Sequence, residues 1–267
     1  SSESAALDTI GAEFVRDVEP GEIVTIVDGQ IYSDWIYHTD IKSRCIFEYI
    51  YFARTDSIID GQSVYSSRVK AGSILADKYP VEADLIVGVP ESGLAAAVGY
   101  SQGSNIPYGM AFYKNSYVGR TFIKPKQNER TAGVQAKLNV IRDVVKGKRI
   151  VMVDDSIVRG TTIRNIVMML KDAGALEVHV RISSPPFKHP CYYGTDVPSS
   201  ENLVAVNNTI EEIRESINAD SLGFLGIEDL GQLCPGLDYC DACFTGKYTG
   251  GIPSDPTKTS SCSSKVV

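Results

Sequence analysis

No apolar run in this 267-residue sequence approaches the roughly 20 residues a helix needs to cross a bilayer, so no membrane span is expected. A signal-peptide pattern and an initiating Met are both missing, which reads as a chain that is processed or that begins inside a longer protein. Positive charge is in deficit: 26 Lys and Arg against 33 Asp and Glu leave a formal −7, which argues against nonspecific binding to nucleic acid or a membrane surface. Six cysteines are too few for a dense disulfide scaffold, so metal ligation or free thiols in a cytoplasmic protein are expected. What remains is ordinary for a globular chain, with 43% apolar and 22% charged residues and length for one large or two small domains.

The stretch that organises the chain runs from Arg149 to Thr162. Ile150–Val153 has the length and β-branching of a buried strand. Two adjacent carboxylates, Asp154 and Asp155, follow at its carboxyl end, then Ser156, Arg159, Gly160, Thr161 and Thr162, opening into a helical run over 163–171. Open α/β sheets bind ligands beyond the carboxyl ends of their strands. Amides at a helix N-terminus, together with hydroxyls, wrap a phosphate. The carboxylates can accept bonds from ribose hydroxyls or hold a metal-bound sugar, and glycine lets the backbone approach an anion. The plain alternative is an acidic turn that caps a helix. Strand, acids, loop and helix in that order favour the ligand, a sugar phosphate.

This wording, Val-Asp-Asp-Ser-Ile-Val-Arg-Gly-Thr-Thr, resembles the 5-phosphoribosyl-1-pyrophosphate (PRPP) motif of type I phosphoribosyltransferases, and within them the amidophosphoribosyltransferase family. The resemblance runs from about Glu3 to about Tyr248. It implies an α/β type I phosphoribosyltransferase fold, a mostly parallel twisted sheet flanked by helices. The implied reaction is displacement of pyrophosphate from PRPP by ammonia, giving 5-phosphoribosylamine, the first step of purine synthesis. Asp154 and Asp155 are then catalytic and hold ribose hydroxyls and Mg²⁺, with Ser92 as a further Mg²⁺ ligand. Ser156, Val158, Arg159, Gly160, Thr161 and Thr162 take the 5-phosphate.

The order of elements agrees. Residues 1–40 read as a helix stub and short strands at 14–18, 23–27 and 31–37, with Asp28-Gly29 as a hairpin turn. By resemblance they are the end of an antiparallel glutaminase domain. The family's N-terminal Cys nucleophile is not here, since position 1 is Ser and the first cysteine is Cys45. The expected division is this remnant over 1–40, a phosphoribosyltransferase domain over 41–230, a cysteine-containing segment over 231–248 and a disordered Ser/Thr/Pro/Gly-rich tail over 249–267. The aromatic run Cys45–Arg54 reads as a core strand. Strands are also expected over 84–90, 108–113, 149–153 and 177–182, and helices over 66–79, 94–103 and 211–218, giving a parallel β-α-β order. Residues 222–230 form a small helical or strand segment.

A second anion-ready turn, Glu91-Ser92-Gly93, joins a strand to an Ala/Gly-rich helix; the resemblance makes it the pyrophosphate loop. Ten basic residues from Lys114 to Arg149 are opposed only by Glu129 and Asp143, a reversal of sign that suits a polyphosphate substrate. In the family a mobile loop lies here and closes over the substrate. Lys114, Arg120 and Lys137 match its basic positions for substrate or inhibitory nucleotide, Arg120 as a catalytic candidate.

Cys240-Asp-Ala-Cys243 is compatible with a metal, a redox pair or neither. With Cys45 and Cys191 it supplies four thiolates, enough for Zn²⁺ or an iron–sulfur cluster. The resemblance makes Cys45, Cys191, Cys240 and Cys243 ligands of a [4Fe–4S] cluster; Cys234 is the rival ligand and Cys262 an unpaired thiol. It also implies a homotetramer and purine-nucleotide feedback inhibition. Competing readings are a nucleobase phosphoribosyltransferase and a PRPP-sensing regulator without activity. A torn N-terminal domain should leave exposed strand edges and poor solubility.

Overall fold

The computed structural model describes residues 1–39, 42–115, 138–195, 197 and 199–252. Helix α1 (Ser4–Ile10) is followed by the antiparallel pair β1 (Glu22–Val27) and β2 (Gln30–Trp35). Asp28 and Gly29 both have positive φ, 49° and 77°, as a two-residue hairpin turn that follows right-handed strand twist requires. No strand forms at 14–18; Phe14, Val15 and Val18 have no ladder partner among the described residues and are exposed.

Strand β3 (Arg44–Cys45) is only two residues long. The expected core strand over Cys45–Arg54 is instead a helical stretch ending in a π-turn at Glu48–Phe52. Ile46, Phe47, Tyr49, Ile50 and Ala53 are the buried positions. Their spacing follows a helical face, where strict alternation would have made a strand. Aromatic content alone could not separate the two. Short strands β4 (Ile58–Ile59) and β5 (Gln62–Ser63) lead into α2 (Val64–Lys78), which starts where the Ser63 hydroxyl accepts the Ser66 N–H.

Then come β6 (Leu85–Gly88), α3 (Gly93–Ser104), β7 (Phe112–Lys114), β8 (Leu138–Val140), α4 (Arg142–Val145), β9 (Arg149–Asp154), α5 (Thr161–Asp172) and β10 (Glu177–Ile182). Helices α6 (Val204–Asn207) and α7 (Ile210–Ser216) precede β11 (Ser221–Phe224); a 3₁₀ turn (Ile227–Gln232), β12 (Tyr239–Cys240) and α8 (Ala242–Thr245) close the described chain. The segment 222–230 thus divides into a strand and a helical turn.

The central sheet is wholly parallel, in the order β11-β10-β9-β6. Residues 108–113 join it only through one parallel bridge, Ile86 to Tyr108. Beyond Gly109, which donates its N–H to Ile86, the chain leaves the sheet and β7 pairs antiparallel with β8. Both sheet faces are covered, which is why Ile150–Val153 is an unbroken apolar run. Ile86, Val151 and Val153 pack toward α2 and α3, and Val87, Ile150, Met152, Val178 and Val180 toward α5. Helices α2 and α3 cross closely, because a Cβ at Gly72 or Gly99 would overlap a backbone carbonyl of the other helix. Phe47 meets Phe187 edge to face at 5.1 Å and Phe187 meets Phe244 at a tilt at 5.0 Å, and the three rings bind three remote segments together. Residues 249–252 do not trail away as the expected tail would. Tyr193 Oη donates to Gly251 O at 2.8 Å and accepts the Gly250 N–H at 3.0 Å. The rest of that tail, 253–267, lies outside the described residues.

Candidate functional site

Two turns meet at the carboxyl ends of neighbouring strands β6 and β9. The Val89 N–H donates to Val153 O at 2.9 Å, which locks them side by side. From the β6 side, Glu91-Ser92-Gly93 opens α3, and the Pro90–Glu91 peptide is cis. Gly93 sits so close to Val153 O and the Asp154 backbone that a Cβ would overlap them. From the β9 side come Asp154 and Asp155, both buried. Each Asp155 oxygen accepts from a serine: Ser92 Oγ donates to Oδ1 at 2.5 Å, and Ser156 Oγ donates to Oδ2. Asp154 Oδ1 accepts the Asp155 N–H at 2.9 Å. Burial, and then the neighbouring Asp155 charge, hold the Asp154 carboxyl well above the usual carboxylate range. Two carboxylates packed together in this way are costly alone and suit a divalent cation.

Past the acids, the chain rises through Ser156 and Val158 to Gly160, which caps α5 at φ 80°. No side chain caps this helix, so its first amides stay free. Arg159, Thr161 and Thr162 are exposed around that end. The loop is fixed from behind by the Val204 N–H, which donates to Val158 O at 2.9 Å. Amides, hydroxyls and an arginine converge where a phosphate could sit. Lys114, at the end of β7, reaches across to Glu91 at 3.0 Å. Arg120 and Lys137 lie outside the described residues, as does most of the basic run between them.

Among the described residues, no three His, Cys, Asp or Glu are gathered tightly enough to hold a metal ion by themselves. A cation at Asp154 and Asp155 would draw further oxygens from Ser92, water or substrate. Sequence reasoning missed Ser183, whose N–H donates to Asp154 O at 2.9 Å and steadies the acidic turn from β10. It also missed Arg68, a buried guanidinium on α2. Neither carries a signal in its local pattern.

The four expected cysteines do come together. Cys45 and Cys240 are direct partners in the parallel pair β3–β12, Cys243 lies on α8 and Cys191 in the proline-rich loop. All four line one cavity of about 610 Å³, with Glu48, Phe52, Tyr193 and Tyr248 among its walls. The Cys45 residue is open toward that cavity, while the protein crowded around its thiol pushes it up to about 11. Cys243 is raised further, by burial and then by the charges of Cys45, Cys191 and Cys240. Burial also works to raise Cys191, but the N–H groups of Tyr193 and Thr195, each 3.5 Å from the sulfur, help bring it below its ordinary value. Cys234, the rival ligand, is not among the residues lining this cavity; it is buried with its thiol toward Leu230 O. Cys262 lies outside the described residues.

Comparison with known proteins agrees with this geometry. The phosphoribosyl transferase domain family matches residues 61–190. The amidophosphoribosyltransferase of Archaeoglobus fulgidus is 51% identical over 258 residues, 95% of this chain and 56% of the relative. That of Bacillus subtilis is 51% identical over 262 residues, 96% of this chain and 55% of the relative. A solved glutamine PRPP amidotransferase from B. subtilis, complexed with ADP and GMP, superposes with a TM-score of 0.87 at 50% identity, covering 96% of this chain and 58% of that one. The chain therefore spans little more than half the length of these relatives.

Proposed function

We propose that this chain, whose residues 61–190 match the phosphoribosyl transferase domain family and whose fold is the type I fold, transfers the phosphoribosyl group of PRPP to ammonia. The observation that carries this reading is the meeting of the Ser92–Asp155–Ser156 clamp with the open end of α5 at adjacent strand ends. One holds a ribose and its cation, the other a 5-phosphate. In the reaction the C1–O bond to pyrophosphate breaks as the C1–N bond forms, and the ammonium proton passes to water. The electron-poor C1 needs little covalent help, so catalysis rests on a pinned sugar, a stabilised leaving group and a dry site. Asp154 and Asp155 orient the ribose hydroxyls; Ser156, Val158, Arg159, Gly160, Thr161 and Thr162 anchor the phosphate. Glu91–Gly93 sits under the pyrophosphate, with Lys114, Arg120 and Lys137 as its counter-charges. Mg²⁺ bound through Ser92, Asp154 and Asp155 would neutralise that leaving group.

We assign Cys45, Cys191, Cys240 and Cys243 to a [4Fe–4S] cluster. A single Zn²⁺ binds thiolates at about 2.3 Å, which would gather them within one tight tetrahedron. The four thiols line one cavity of about 610 Å³, which has room for a larger inorganic core. Its role would be structural, cross-linking three remote segments. The exposed β1–β2 hairpin we read as the end of a glutaminase domain that supplies ammonia from glutamine in a cytoplasmic, oligomeric enzyme. Purine nucleotides are the proposed feedback inhibitors, in line with the ADP and GMP of the B. subtilis structure. No helix among the described residues is long and apolar enough to cross a membrane.

The test is pyrophosphate release from Mg–PRPP with concentrated ammonium at alkaline pH, against the same with purine bases. Release with ammonium alone is expected. Release only with a base, or with neither, contradicts the reading.

A further inference from the structure

Arg68 is an arginine on α2 with only 3% of its surface exposed. Its hydrogen bonds go to the end of the turn that follows Cys45: Nε donates to Tyr49 O at 3.0 Å, and Nη2 to Ala53 O at 2.8 Å and Glu48 O at 3.5 Å, while Nη1 donates to Thr55 Oγ1 at 2.9 Å. A π-turn leaves carbonyls without intrahelical partners, and this fork satisfies them. The same turn supplies Glu48 and Phe52 to the wall of the cysteine cavity. Beside Arg68, the Ser67 hydroxyl donates to Leu233 O at 2.6 Å, at the base of the segment that runs on to Cys240. Adjacent α2 residues therefore grip two of the three cysteine-bearing segments.

Arg68 also lies within electrostatic reach of the acidic turn. Among the described residues no carboxylate is hydrogen-bonded to its guanidinium, and Asp155 is the foremost opposite charge acting on it, ahead of Glu3 and Glu48. Helix α2 packs at backbone contact, through Gly72 and Gly99, on α3. The N-cap of α3 is Ser92, which holds Asp155. One rigid helix pair thus carries both the grip on the cavity wall and the grip on the acidic site.

We propose that Arg68 is a positioning residue that couples the two sites: its fork orders the turn after Cys45 while its helix packs on α3, whose N-cap Ser92 holds Asp155, so that filling the acidic site tightens the wall of the cysteine cavity. Coupling of this kind is reciprocal, and it rests on the assignment of PRPP to the acidic site.

Hydrogen exchange of the intact chain with and without Mg–PRPP tests this, with binding followed separately by calorimetry. In the wild type, Mg–PRPP should slow exchange over 46–53 by about fivefold or more, beyond any slowing at Ile210–Ser216. Arg68→Lys, which keeps the charge but not the fork, and Arg68→Met, which loses both, should bring that ratio to about one. Arg181→Met removes another buried arginine, bonded to Tyr79 O and Ser221 Oγ, and should lower stability while leaving the ratio intact. If Arg68→Met does not fold, Arg68→Lys decides. Mg–PRPP binding with no change over 46–53, or a full effect in Arg68→Lys, overturns the coupling but not the substrate. Absence of Mg–PRPP binding overturns both.

Discussion

At the scale of the residue, Asp154 and Asp155 carry the account. Burial and its neighbour's charge raise Asp154, so the fold opposes its ionisation. The sign follows from linkage. An acid whose folded pKa lies above its unfolded value, about 3.9, costs nothing below that pH and costs more as pH rises through the folded pKa. Asp154→Asn should therefore stabilise the ligand-free protein by about 0.5–2 kcal/mol near neutrality, and by nothing below about pH 4, while abolishing Mg–PRPP binding. Thermal melts at two pH values and calorimetry check this. Ser92→Ala, which removes one charge-assisted bond to Asp155, should weaken Mg–PRPP binding about tenfold or more. The acids and the glycine turn that opens α5 were legible in the sequence because strand, acids, glycine and helix lie within a dozen or so residues. Ser183 and Arg68 were not. Their partners are remote in the chain, so their roles exist only once the chain has folded.

At the scale of the element, the parallel strands were easy to read. Burial on both faces of the sheet leaves a solid apolar run at Ile150–Val153, and for Glu177–Ile182 the expected and observed limits coincide. The aromatic run after Cys45 was misread because residues such as Phe and Tyr suit a half-buried strand and a helical face alike. What settles it is Arg68, which satisfies the carbonyls of the turn from another helix. Thr209 and Glu212 form a reciprocal capping box at the start of α7, and Thr209→Ala should cost about 1 kcal/mol in chemical denaturation. The cysteine elements yield a direct analytical prediction. Protein isolated without oxygen should contain iron and acid-labile sulfide, with visible absorbance that Cys243→Ala loses; colourless, zinc-containing protein would reject the cluster.

At the scale of the whole molecule, the β1–β2 hairpin stands out because it has no core of its own. Ile26, Tyr32 and Ile36 are 69%, 58% and 76% exposed. Open strand edges with apolar faces invite pairing with other chains. Ile26→Lys should accordingly reduce self-association in sedimentation runs without changing PRPP affinity, since the hairpin shares no residue with the acidic site. The sequence pointed to open strand edges here, and these apolar faces are exposed. It could not foresee how β6 and β9 bring Ser92 to Asp155 across 63 positions of chain. That contact is the centre of the account, since it joins the turn proposed for pyrophosphate to the turn proposed for ribose. The most direct test follows ¹⁵N from labelled ammonium in the presence of Mg–PRPP, with Asp155→Ala as the comparison. The account predicts ¹⁵N bonded to C1 of a ribose 5-phosphate, with pyrophosphate released in equal amount, and neither product from Asp155→Ala. Unchanged PRPP in the wild type, or equal yield from Asp155→Ala, would contradict it.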